Sequence, residues 1–241
     1  MSENPGSIVI LTGAGISAES GLDTFRGQGG LWEGHRIEDV ATPEAFEKNP
    51  KLVQKFYNER RKKLINSDVF PNAAHLALAQ LEKAWKGNVL TVTQNIDNLH
   101  ELAGSKNVLH MHGSLLEVRC SETGTVFFPW RESIAADTAC SCCGKTNTLR
   151  PNIVWFGEMP FELPRIFDAL EKCAYFLSIG TSGQVYPAAG FVEHVRMHSK
   201  GKSVELNLEP SMLSHLFTET RYGHATEIVP DFIEKLLHLA S

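Results

Sequence analysis

Residues 8–18 read IVILTGAGISA. An unbroken apolar run meets a glycine turn and then a stretch suited to a helix. A run without alternation fits a strand covered on both faces, as in a parallel sheet. Gly13, Gly15 and Ala18 match the spacing G-x-G-x-x-G/A, which brings backbone N–H groups close to a pyrophosphate at a helix N-terminus. The expected fold class is α/β, a Rossmann-like parallel sheet with helices on both faces, and the expected ligand is a dinucleotide.

The chain outward from this stretch repeats the alternation. VLTVTQN (89–95) follows a helical run, AAHLALAQLEKAWKG, in which Leu76, Leu81 and Ala84 recur at helical spacing and Gly87 marks the stop. YFLSIGTS (175–182) follows a helix over 162–172, and SVELNLE (203–209) follows AAGFVEHVRMHS. TEIVP (226–230) reads as the last strand, leading into DFIEKLLHLA with Asp231 as N-cap or first-turn acid. Two regions break the rhythm. Residues 41–66 read as helices entered at Pro43 and Pro50, and residues 114–151 hold short β-like runs, LLEVRC and TVFFPW, before CSCCG. Both read as insertions that form a small second, zinc-ribbon-like and helical lobe on one domain. The expected large lobe covers about 7–35, 68–113 and 152–241, and the small lobe about 36–67 and 114–151.

Composition narrows the function. The 241 residues carry a net charge of −5, which argues against a dedicated nucleic-acid binder. No apolar run is long enough to span a membrane, and MSENPGSIVILT lacks the basic, then apolar, build of a leader. A cytoplasmic monomer is the expectation. Five cysteines, three of them in CSCC (140–143), suit a metal in a reducing compartment better than a disulfide framework.

A hydride-transferring enzyme would show a second strand ending in an acid about 20 residues past the glycines. Here DTFRGQGGLWEGHR (23–36) holds four glycines and no strand-like run. TQNIDNLHE (93–101) instead places Gln94, Asn95 and Asp97 at a strand end, where amides and an acid can pair with a carboxamide. GTS (180–182) and NLE (207–209) occupy two further strand ends. In HMHGSL (110–115), His112 precedes Gly113 just before the second insertion, a position for a general base. His110, two residues earlier and on the same strand face, reads as structural.

In order, GAGIS, SGLDTFRG, GLW, TQNID, HMHG, the cysteine insertion, PNIVWFGE, GTS and NLE resemble the motif series of the sirtuins, NAD-dependent protein-lysine deacylases. The resemblance runs from about residue 8 to residue 230 and is to the bacterial CobB type, a desuccinylase-like class. It implies NAD as co-substrate, held by Gly13, Ala14, Gly15, Ala18, Asp23, Phe25, Arg26 and Trp32. Asn95 and Asp97 would bind nicotinamide in an inner pocket, with Gln94 and Ile96 also at the cofactor. Gly180, Thr181, Ser182, Asn207, Leu208, Glu209 and Ala225 would hold the rest of the nucleotide. It implies attack of an acyl-lysine carbonyl oxygen on the ribose carbon bearing nicotinamide, with His112 as base on a ribose hydroxyl. The 2′-oxygen would then attack the resulting O-alkylamidate and one water would finish the reaction, giving nicotinamide, free lysine and 2′-O-acyl-ADP-ribose. Phe25 would shield the ribose, and Val154, Trp155, Phe156, Gly157 and Glu158 would pair with the substrate backbone as an added strand.

Tyr57 and Arg60 share a helix face three residues apart, and a phenol with a guanidinium can grip a carboxylate. In the family's desuccinylating members such a pair, with a small residue matched by Ala41, widens the acyl pocket. The expected partners are therefore acetylated and succinylated lysines of proteins. The family's two C-x-x-C arms imply a structural zinc, but the first arm here is Cys120-Ser-Glu-Thr123. Cys120, Cys140 and Cys143 are the expected ligands, with Cys142, a histidine or water as the fourth. Cys173 reads as a buried hydrophobe. ADP-ribosyl transfer and a non-catalytic NAD sensor are the competing readings.

Overall fold

The computed structural model describes residues 5–23, 34–66 and 68–239. Its main sheet is wholly parallel and holds β1 (Ser7–Thr12), β2 (Val89–Thr93), β3 (Val108–His110), β7 (Cys173–Ile179), β8 (Lys202–Asn207) and β9 (Glu219–Tyr222). The order β3-β2-β1-β7-β8-β9 reverses direction between β1 and β7. Open α/β sheets bind ligands outside the strand ends at such a switch point.

Burial on both faces explains the apolar run at residue 8. Ile8 and Ile10 join one core with helices α5 (Ala73–Ala84) and α9 (Ala225–Leu239). Val9 and Leu11 join the other with α7 (Leu163–Lys172) and α8 (Phe191–His198). The helix α1 (Ala14–Ser17) follows β1 directly, and α6 (Leu99–Ala103) links β2 to β3.

The insertions at 36–66 and 113–153 share a third core. Helices α2 (Ile37–Val40), α3 (Pro43–Lys48) and α4 (Pro50–Asn66) supply Val40, Ala45, Val53, Phe56 and Tyr57. A small antiparallel sheet of β5 (Val126–Phe127), β4 (Gly113–Cys120) and β6 (Leu149–Ile153) adds Leu115, Leu116 and Ile153. Pro43 and Pro50 each sit at a helix start, where a missing N–H costs nothing.

Four expectations are corrected. Residues 226–230 are the opening turns of α9, so Asp231 lies inside the helix and pairs with Lys235 at 2.7 Å and Arg221 at 3.1 Å. Val229, Phe232, Ile233 and Leu236 are buried at helical spacing, and this outweighs the β-branched look of TEIVP. The sixth strand is ETRY (219–222), an edge strand paired on one side only and too polar to announce itself. In α5 the buried face is Ala74, His75, Ala77, Leu78 and Leu81, while Leu76 is 54% exposed and Ala84 is exposed too. That helix ends with Trp85 as its cap, before Gly87. Finally, β3 stops at His110, so His112 lies in the following turn and shares no strand face with it.

Candidate functional site

The glycine loop is shaped by its neighbour as much as by any ligand. Gly13 N–H donates to Ile179 O and Gly15 N–H to Gly180 O, both at 3.0 Å. A Cβ on Gly15 would come within 2.7 Å of Gly180 Cα, so the loops after β1 and β7 interlock backbone to backbone. Asn207, at the end of β8, donates from Nδ2 to Thr181 O at 2.7 Å and ties a third strand end to the same place.

Asn95 and Asp97 are held by one hydroxyl. Asn95 Nδ2 donates to Ser17 Oγ and to Gly13 O at 3.1 Å each, and Ser17 Oγ donates to Asp97 Oδ2 at 3.1 Å. Leu99 N–H occupies Asp97 Oδ1 at 3.1 Å. Burial pushes the Asp97 carboxyl above its ordinary range. Ser17, which the sequence reading passed over, therefore joins the glycine loop to the TQNID turn.

The two histidines of HMHG have different states. His110 faces acceptors on both sides, Asn95 O at 3.1 Å and Glu101 Oε1 at 2.7 Å. Burial pulls its pKa down, but the Glu101 carboxylate outweighs that and the net shift is upward. Among the described residues His112 has a single acceptor: its Nδ1 lies 3.2 Å from Gln94 O. A carbonyl only accepts, so Nδ1 carries the hydrogen and Nε2 keeps the lone pair. Burial lowers the His112 pKa, against the opposing pull of the Gln94 carbonyl. The imidazole is then neutral near pH 7, the state a general base needs.

Segment 154–158 is fixed from within. Val154 N–H donates to His112 O at 2.9 Å and Phe156 N–H to Ala41 O at 3.0 Å. Glu158 receives Arg150 on both oxygens (2.8 and 3.0 Å), Arg119 at 3.0 Å and Trp155 N–H at 2.9 Å. The N–H groups of Val154, Trp155, Phe156 and Glu158 all have partners, so a peptide pairing here meets mainly carbonyls. The Trp155 ring is buried, and its Nε1 donates to Tyr57 Oη at 2.9 Å. Burial raises the Tyr57 pKa, so the phenol keeps its proton. Arg60, 7% exposed, holds its Cζ over the Phe56 ring at 3.4 Å from the ring centre.

One cavity of about 730 Å³ joins the glycine loop, the TQNID turn, His112, segment 154–158 and the Tyr57–Arg60 pair. Its wall includes His112, every described residue expected at the nucleotide and every one expected at the acyl-lysine. It also includes Ser17, Glu19, Lys63 and His224, which the sequence reading did not single out. Phe25, Arg26 and Trp32 lie outside the described residues.

The cysteines gather elsewhere, beside the small sheet. The sulfurs of Cys120, Cys140, Cys142 and Cys143 all lie within 4.8 Å of one another. Cys120 to Cys143 is 3.7 Å and Cys140 to Cys142 is 3.2 Å. Four thiolates around zinc stand about 3.8 Å apart, so this donor set could hold the ion. Cys142 is the fourth sulfur that the broken first arm lacks, and Thr123, at the lost position, lies 3.1 Å from it. Hydrogen bonding by Thr123 brings the Cys120 thiol down to about 6, favouring its thiolate. Cys173 is buried and donates to Leu170 O, as its core position requires. Among the described residues no helix is long and apolar enough to cross a membrane.

A model described as the Sir2 family matches residues 13–187. A protein of Pasteurella multocida named NAD-dependent protein deacylase is 58% identical over 230 residues, covering 95% of this chain and 97% of the relative. A solved complex of a Sir2 homologue with NAD superposes with a TM-score of 0.87 at 38% identity, over 98% of this chain and 91% of that one. A Sir2 complex with a p53 peptide and NAD+ has a TM-score of 0.79 at 29% identity, over 95% and 92% of the two chains.

Proposed function

The chain belongs to the Sir2 family, and on that premise we propose that it is an NAD-dependent protein-lysine deacylase that removes succinyl as well as acetyl groups. The observation that carries the reading is the continuity of one cavity. It runs from the Gly13–Gly15 loop, past His112, to the buried face of Tyr57 and Arg60. A nucleotide and an acyl-lysine could meet in it beside a neutral imidazole.

Each side chain has a chemical task in this reading. The glycine loop, without side chains at Gly13 and Gly15, leaves the pyrophosphate of NAD room at the N-terminus of α1, while the N–H groups of those two glycines stay on Ile179 O and Gly180 O. Asn95 and Asp97, fixed by Ser17, face the carboxamide of nicotinamide. NAD supplies the activated ribose carbon to which the acyl oxygen is transferred. His112 takes the ribose hydroxyl proton on Nε2, while its Nδ1–H to Gln94 O holds the ring in that tautomer. Arg60 and Tyr57 accept the carboxylate of a succinyl group. The Tyr57 hydroxyl accepts from Trp155, so toward an anion it acts as donor. Arg119 and Arg150, through Glu158, keep the peptide-facing segment in place. A zinc ion held by the four cysteines would be structural, remote from the reacting atoms.

The test compares succinyl- and acetyl-lysine peptides of one sequence with NAD. Arg60→Met removes a charged hydrogen-bonding group and should cost roughly 30-fold in kcat/KM for succinyl, with acetyl held within about threefold. Equal loss of both activities sinks the acyl-pocket assignment.

A further inference from the structure

Tyr57, Arg60 and Lys63 follow one another at three-residue steps along α4, and all three line the cavity. Exposure rises along them: Tyr57 is 1% exposed, Arg60 is 7%, and the Lys63 side chain is 40%. Lys63 therefore stands where the acyl pocket opens. Its Nζ lies 2.7 Å from Asp23 Oδ2, in the segment that follows the glycine loop. Asp23 lines the cavity too. The pair joins the nucleotide side of the cavity to its acyl side across 40 residues of chain.

We propose that Lys63 is a second cation for the acyl carboxylate, and that Asp23 is an internal carboxylate that occupies it when no acidic acyl group is bound. The proposal rests on the reading of Tyr57 and Arg60 given above. An exposed ion pair contributes little to stability, so fold maintenance does not account for placing both charges on the cavity wall. Their fields act in opposite senses on an incoming succinyl group: Lys63 attracts its carboxylate and Asp23 repels it. Asp23 also feels Arg60, whose charge helps hold its carboxyl below the ordinary range after the larger effect of Lys63. An acetyl group carries no charge and is indifferent to both. The pair therefore sets acyl selectivity, with Lys63 as a specificity-determining residue and Asp23 as its counterweight.

The experiment reads the ratio of kcat/KM for succinyl- over acetyl-lysine peptide, so any effect shared by both substrates cancels. Lys63→Met should lower the ratio about fivefold, and Asp23→Asn should raise it about threefold. The paired variant should fall between the two single variants, because the charges act in opposite senses, and the departure from the product of their effects measures the coupling of the two touching groups. Lys63→Gln, which keeps a polar group and loses the charge, should follow Lys63→Met. Ratios within twofold of wild type for both single variants, or shifts of the same sign, overturn the proposal. Arg60→Met in the same series separates the two failures. If it lowers the ratio while the pair does nothing, the acyl-pocket reading stands and only this inference falls. If Arg60→Met leaves the ratio unchanged, both fall.

Discussion

Acidification should weaken this protein through two histidines that solvent does not reach. His75 is 0% and His100 1% exposed, with ring centres 5.0 Å apart. The His75 Nδ1 accepts from the Asn72 backbone at 3.4 Å, and His100 Nε2 lies 3.0 Å from Thr12 Oγ1. Thr12 donates its own hydrogen to Thr93, so it receives one from His100. The His100 Nδ1 has no hydrogen-bond partner among the described residues, and a proton placed there would be buried unpaired. Burial pushes His75 down to about 4, and burial with the neighbouring His75 pushes His100 down to about 3.

Both folded values lie below the unfolded value of about 6.5, so the unfolded chain binds protons first as pH falls. The stability these groups contribute is complete above about pH 6.5 and is lost as pH falls toward the folded values. Between about pH 7 and about pH 5 each histidine costs about 2 kcal/mol, and the pair about 4. That is a large part of a typical margin of roughly 5–15 kcal/mol. Urea unfolding followed by circular dichroism at the two pH values measures it. His75→Asn and His100→Gln should each flatten the loss by about 2 kcal/mol. Among the other histidines, His112 adds to the loss and His110 opposes it, and both cancel in the comparison. Equal losses in wild type and variants would refute the assignment of buried neutral rings.

Three further outcomes are expected. Gly113 has φ +81°, and a Cβ there would meet Asn152 O at 1.9 Å, so Gly113→Ala should destabilise by roughly 3 kcal/mol or more and lower the melting temperature. Because His112 immediately precedes it, that variant should also lose deacylation even where it remains folded. Cys142→Ser should lower the zinc content of protein purified without chelator and weaken retention against a chelator dye, while Thr123→Cys/Cys142→Ser should restore both. The kcat/KM for acyl peptide should stay level as pH falls through about 6.5 and decline only below it, since burial holds His112 under the ordinary histidine value. A midpoint at or above that value would contradict the base assignment.

What the sequence disclosed depended on how local the signal was. The opening strand and loop were legible because burial on both faces leaves IVIL without a polar residue and the loop's close approach admits only glycine. That Tyr57 and Arg60 stand together on the cavity wall was legible because they are a turn apart on one helix. ETRY was not, since an exposed edge strand carries no apolar pattern, and TEIVP misled because β-branched residues also serve the buried face of α9. Lys63 and Asp23 meet only through tertiary packing, and no spacing announces a pair 40 residues apart. Cys142 was open for the same reason: the residue that brings it into the cluster's empty corner is a threonine on another strand's turn. Ser17 lay inside the quoted motif, but its bonds to Asn95 and Asp97 appear only once β1 and β2 are side by side.

The most direct measurement follows nicotinamide and peptide mass together, in a reaction of the purified protein with NAD and a succinyl-lysine peptide. Nicotinamide should appear only when the acyl peptide is present, one acyl group should leave the peptide for each nicotinamide formed, and His112→Tyr should do neither. NADH absorbance, or nicotinamide release with the acyl group intact and ADP-ribose mass added to a protein, would contradict the assignment.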